Sequence, residues 1–230
     1  TICVVGLGYV GLPTAVAFYE EGFKVHGIDI SKETISCLER GESPIINNVE
    51  TLKIPKKTEK WTISSGFEFV GKSDFVLITV PTPTKGDMEP DYSFVESAMH
   101  SVLANVDPSA GTVVILESTV SPGKTREIST RILEDLDLVE GEDFFLAYSP
   151  ERVSPGEVGR TVRDVTRVVG CNNSEIGKKV SDLYSSITSG GCHLVDSIEI
   201  AEAAKLIENV QRDVEIALTN EFALVLSEMG

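Results

Sequence analysis

A chain of 230 residues with 36 Asp+Glu against 20 Lys+Arg carries a formal charge of −16, and 41% of it is hydrophobic. That is enough apolar material for one or two packed domains, and the acidic balance argues against a nucleic acid or an anionic membrane as partner, since both select a basic face. No apolar run approaches the ~18 residues of a spanning helix, and Thr1–Gly6 lacks the basic start of a signal peptide, so a cytoplasmic location is expected.

In chain order, Ile2–Gly6 predicts a buried strand and Leu12–Glu21 a helix. Lys24–Asp29 predicts a second strand, followed by a helix over Lys32–Arg40 with Ser31 as its N-cap. Trp61–Ser64 reads as a third strand. Asp74–Val80 is a fourth, its continuous apolar run suiting a strand buried on both faces. A helix over Ser93–Asn105 leads to a fifth strand, Thr112–Leu116, and Pro122 suits the first turn of the next helix, through Leu133. Phe144–Tyr148, Arg167–Gly170 and His193–Val195 complete the strands, with a helix over Ser174–Ser186 between the last two. This alternation predicts an α/β fold with a doubly wound, mainly parallel Rossmann-type sheet and right-handed crossovers. Residues 198–229 contain no Gly or Pro, and Ile207, Val210, Val214, Leu218, Phe222, Val225 and Met229 step by three and four. They predict one long C-terminal α-helix whose apolar stripe seeks a second domain or subunit. Four cysteines (Cys3, Cys37, Cys171, Cys192) without CxxC spacing and three isolated histidines predict a reduced protein without a metal site.

The chemistry gathers where ligands bind an open parallel sheet, outside the carboxyl ends of its strands. Gly6-x-Gly8-x-x-Gly11 follows a strand and opens a helix, and Asp29 ends the next strand. The first glycine permits the turn, the second admits pyrophosphate to the backbone, the third lets helix pack on strand, and the acid suits a ribose diol. Motif, strand, helix and acid together predict dinucleotide binding. Thr79–Pro83, Glu117–Thr119 and Ser149–Arg152 end later strands on the same edge. Each has a plainer reading: Asp29 as a turn or capping residue, Thr79–Pro83 as a stiff loop, Thr119 as a capping hydroxyl, Glu151–Arg152 as a surface ion pair. Lys205 and Asn209 share one face of the long helix, where a lysine is ordinarily just solvated.

Taken together, GlyLeuGlyTyrValGlyLeuPro at 6–13, ThrProThr at 82–84, GluSerThrVal at 117–120, SerProGluArgValSerProGly at 149–156 and AlaGluAlaAlaLysLeuIleGluAsnValGlnArgAspVal at 201–214 resemble the UDP-glucose/GDP-mannose dehydrogenases, the nucleotide-sugar dehydrogenase family. The last two segments look most like the branch acting on UDP-N-acetyl-D-mannosamine, and Pro155 stands where the UDP-glucose branch carries a second Glu. The resemblance implies oxidation of a sugar C6 alcohol to the carboxylate with two NAD and one water. It implies cofactor contacts from Gly6, Gly8, Tyr9, Val10, Gly11, Asp29, Lys32, Pro81, Thr82 and Thr119. It gives Thr119 a catalytic water, and Glu151 the substrate or the thioester-hydrolysis step. Lys205 and Asn209 would bind the C6 oxygen, with Arg152, Val153 and Arg212 also on the substrate.

The family's nucleophilic Cys lies beyond the long helix, and none of the four cysteines matches it. The expectation is therefore an NAD-binding domain over 1–196 and the start of a connecting, dimer-forming helix over 197–230, without the sugar-nucleotide domain. A two-electron hydroxyacid-type dehydrogenase and a non-catalytic NAD-sensing module remain as alternatives.

Overall fold

A computed structural model describes residues 1–45, 52–86, 88–151 and 161–230. Its strands are β1 (Ile2–Val5), β2 (Val25–Ile28), β3 (Trp61–Ser64), β4 (Phe75–Ile78), β5 (Val113–Leu116), β6 (Phe145–Tyr148), β7 (Arg167–Gly170) and β8 (Cys192–Val195). Its helices are α1 (Gly11–Glu20), α2 (Lys32–Glu39), α3 (Ser93–Leu103), α4 (Lys124–Leu136), α5 (Ser174–Ser185) and α6 (Ile198–Met229). The strands form one sheet in the order β3-β2-β1-β4-β5-β6-β7-β8. The order reverses direction after β1, which opens a crevice beside its carboxyl end.

Alternation along each strand divides the core in two. Ile2 and Val4 of β1 pack with Leu12, Ala15 and Phe18 of α1 and with Val180 and Tyr184 of α5. Cys3 and Val5 point the other way, into the cluster holding Met99 of α3, Ile128 of α4 and Ile198 of α6. Period-two side chains therefore bury both faces, and the central strands are uniformly apolar for that reason.

Element boundaries move by a residue or two from the expected ones, and two differences carry more weight. The sheet is parallel from β3 through β6, but β7 pairs antiparallel with β6 through Tyr148 and Gly170, and β8 follows β7 in parallel. A parallel return needs a crossover long enough to recross the sheet. Residues 149–166 contain two prolines and two glycines and carry no helical periodicity. The second difference is the start of α4, which begins at Lys124 after Gly123 rather than at Pro122, for a reason that lies 79 residues away in α6.

Helix α6 has 32 residues, about 48 Å at 1.5 Å per residue. Ser197 caps it through the Ile200 N–H at 3.3 Å. Only Ile198, Ala201 and Glu202 are buried. The expected stripe from Ile207 to Met229 lies exposed, Phe222 at 59% and Met229 at 76%, and Ile216, Leu224 and Leu226 are exposed beside it. Among the described residues no helix is long and apolar enough to cross a membrane.

Candidate functional site

The turn after β1 is tied down from three directions. Gly6 has φ +94°, a left-handed conformation that glycine adopts without strain. The Thr79 hydroxyl at the end of β4 donates toward the carbonyls of Gly6 (2.7 Å) and Val5 (3.0 Å). Asp29, at the end of β2, accepts the Leu7 N–H on Oδ2 and the Ser31 N–H on Oδ1, both at 2.8 Å. The plainer reading of Asp29 is thus correct as far as it goes, because it closes the turn. A carboxylate has about four lone-pair sites, so capacity remains for a ribose hydroxyl.

The three glycines differ in what a side chain would meet. A Cβ on Gly11 would lie 1.9 Å from the Gly6 carbonyl oxygen and 2.3 Å from Thr79 Oγ1, so helix and turn touch there. A Cβ on Gly8 would meet nothing within 4 Å. Gly8 and Tyr9 are exposed and Val10 half-buried, and α1 starts with no side-chain cap and no acid in its first turn. The positive end of the helix therefore faces open space beside Gly8, which fits a pyrophosphate. Lys32 is exposed three residues beyond Asp29, Pro81 is exposed and Thr82 half-buried in the loop after β4.

Across the crevice, the loop after β5 carries Thr119, half-buried. The Ser118 hydroxyl donates to the Val80 carbonyl at 2.7 Å, which joins this loop to the one after β4. The Ser121 N–H reaches Tyr92 Oη at 3.2 Å. Glu151 follows β6, and the Lys205 ammonium of α6 donates to the Glu151 carbonyl oxygen. Lys205 therefore faces the crevice rather than solvent. Asn209, one turn on, is half-buried, and its Oδ1 accepts from Arg212 at 3.4 Å. Arg212 also lies 3.7 Å from Glu208. Arg152 and Val153 lie outside the described residues.

Sequence reasoning missed the buried centre beneath this edge. Arg167, fully buried in β7, pairs with Glu117 at 2.9 Å on one side and with Glu151 at 2.9 Å on the other. Tyr184 of α5 donates to Glu117 at 2.7 Å, and its ring lies 4.8 Å from the guanidinium. Glu151 is thus an ion-pair partner of a core arginine. Burial pushes the Glu117 carboxyl above the usual carboxylate range, against the pull of Arg167. Burial also opposes the charge on Arg167, yet Glu117 and Glu151 outweigh it and hold the guanidinium above its ordinary value. The only signal in the sequence was an arginine opening an otherwise apolar strand.

Fold and crevice define a dinucleotide-binding α/β domain with a lysine-bearing helix across its mouth. The NAD binding domain of the UDP-glucose/GDP-mannose dehydrogenase family matches residues 1–188, and the chain belongs to that family. Protein CapL of Staphylococcus aureus is 42% identical over 99% of this chain and 53% of its own length. A UDP-N-acetyl-D-glucosamine 6-dehydrogenase of Pseudomonas aeruginosa is 38% identical over 100% of this chain and 53% of its own. Among solved structures, a UDP-D-ManNAc dehydrogenase from Pyrococcus horikoshii superposes with a TM-score of 0.85 at 36% identity, covering 97% of this chain and 53% of the other. The chain thus spans about half the length of the curated relatives it matches. Its cofactor class is NAD, in keeping with the open glycine turn and Asp29.

Proposed function

We propose that this chain is the NAD-binding half of a UDP-sugar 6-dehydrogenase that oxidises a C6 alcohol to the uronate with two NAD and one water. The best candidate substrate is UDP-N-acetyl-D-mannosamine. The observation that carries the reading is the reach of Lys205 from α6 to the Glu151 carbonyl, which brings a cation to the same strand ends as the glycine turn. Residues 1–196 form the NAD-binding domain and 197–230 open a connecting helix. NAD supplies a hydride acceptor; the turn at Gly6, Gly8, Tyr9, Val10 and Gly11 holds its pyrophosphate, and Asp29, flanked by Lys32, holds the adenosine ribose. Pro81, Thr82 and Thr119 border the cofactor on the far side.

Lys205 and Asn209 donate hydrogen bonds to the sugar's C6 oxygen and stabilise charge developing there. Thr119 holds the attacking water, and Glu151, fixed by Arg167, contacts substrate or the hydrolytic step. Arg152, Val153 and Arg212 contribute substrate contacts. The exposed apolar stripe of α6 supports a two-fold homodimer, and the protein works in the cytoplasm.

The test is an NADH absorbance assay on the full-length protein with NAD and either UDP-N-acetyl-D-mannosamine or UDP-N-acetyl-D-glucosamine. Two NADH per UDP-N-acetyl-D-mannosamine, with the 2-epimer turned over more slowly, is the expected result. One NADH per sugar would mean a two-electron dehydrogenase. NAD binding without turnover of any sugar would mean a sensing module.

A further inference from the structure

Glu202 is a carboxylate with no exposure at all, and it sits in the first turns of the helix that carries Lys205 and Asn209. A buried charge is expensive unless hydrogen bonds and an opposing charge or dipole compensate it. Here the N-terminus of α4 does so. Glu202 Oε2 accepts the Gly123 N–H at 2.6 Å; Oε1 accepts the Thr125 N–H at 3.0 Å and the Thr125 hydroxyl at 2.5 Å. The position before α4 is glycine with φ +85°, so the helix has no local side-chain cap. The cap arrives from α6, and it meets the positive end of the α4 dipole.

We infer that Glu202 is a positioning residue: by capping α4 it sets the helix face bearing Lys205 and Asn209 against the loop bearing Thr119. The inference rests on the functional reading above. Lys205 is three residues beyond Glu202 and so shares its face of α6. Thr119 is four residues before Gly123, in a segment held from its other side by the Ser118–Val80 and Ser121–Tyr92 bonds. The ion pair between Glu199 and Arg126 at 3.0 Å flanks the same junction. Glu202 is therefore the buried pin between two elements that the reaction needs in register. A displacement of about 1 Å at such a junction costs rate far more than it costs binding of a cofactor held chiefly by the glycine turn and Asp29.

The experiment is a double-mutant cycle in the full-length protein, with kcat, KM and NAD affinity measured for Glu202→Gln, Lys205→Ala and the pair. The amide keeps one acceptor and turns a donor against the α4 N–H groups. Glu202→Gln should lower kcat about tenfold and change NAD affinity far less. In the Lys205→Ala background it should cost clearly less than in the parent, because one of the groups it places is gone. A lower melting temperature with unchanged kcat well below melting, or a full additive loss beside Lys205→Ala, would overturn the positioning role. If Glu202→Gln does not fold, Thr125→Val, which keeps the N–H and removes the hydroxyl, should lower kcat in the same direction. Thr125→Ser should restore it, and an unchanged kcat in Thr125→Val would overturn the inference. If Lys205→Ala itself leaves turnover intact, the functional reading fails, and the role of Glu202 with it.

Discussion

The two sides of the crevice are built in opposite ways. The dinucleotide side is assembled from residues 1–32 plus Thr79, through backbone turns and bonds such as Leu7 to Asp29, and it leaves Gly8 and Tyr9 open to solvent. The far side is assembled from β5, β6, β7, α5 and α6, through buried charges, several of which have partners 50, 67 and 79 residues away. The first is a backbone cradle held in shape by two side chains, Thr79 and Asp29. The second couples chemistry to folding, because the groups that aim the candidate site also fill the core. Mutations should separate ligand binding from stability on one side and confound them on the other.

The largest expected break in that contrast is at Arg167. Replacing it with Met strands Glu117 and Glu151 in the core, and removing one partner of a buried pair costs about 3–5 kcal/mol. The thermal midpoint should fall by roughly 6–20 °C. The Glu117 carboxyl is already raised by burial, and losing the guanidinium raises it further. A carboxyl with a folded pKa above its unfolded value binds protons preferentially when folded, so its contribution is lost as pH rises through the folded pKa. The variant's deficit should therefore grow from pH 5 to pH 8 by calorimetry. A midpoint unchanged at both pH values would mean that the cluster is not a structural charge centre.

Lys205→Ala comes next. It should reduce turnover of the full-length protein about a hundredfold, near 2.7 kcal/mol, while NAD affinity stays unchanged. Gly8→Val then sharpens the other side. Because a Cβ there meets nothing, circular dichroism and melting temperature should match the parent. NAD affinity should nevertheless drop by about 2 kcal/mol, a factor near 30, as the side chain fills space the pyrophosphate needs. Equal NAD affinity by calorimetry would reduce the glycine turn to a structural one. The smallest effect is cofactor choice. With Asp29 on the ribose as proposed, its carboxylate would repel a 2′-phosphate, and NAD should bind at least about tenfold tighter than NADP, about 1.4 kcal/mol, with Lys32 softening the difference. Comparable affinities would remove Asp29 from the ribose site.

Local chemistry explains what could be read in the sequence. The glycine spacing, Ser31 capping the Thr34 N–H at 3.2 Å, the uniformly apolar strands and the unbroken periodicity of α6 all depend on neighbours within a few turns. The family motifs inherit that legibility because they sit on those turns. Tertiary structure alone decided that β7 runs against β6, that α4 starts at Lys124, and that Lys205 reaches Glu151 rather than water. It also decided that Arg167 joins Glu117 to Glu151. Each of these joins groups that are not neighbours in sequence, as far as 50 residues for Glu117 with Arg167 and 54 for Glu151 with Lys205, chosen by which of them share a desolvated space once the sheet has formed. Periodicity records which face of an element is buried, but it carries no record of the partner waiting there.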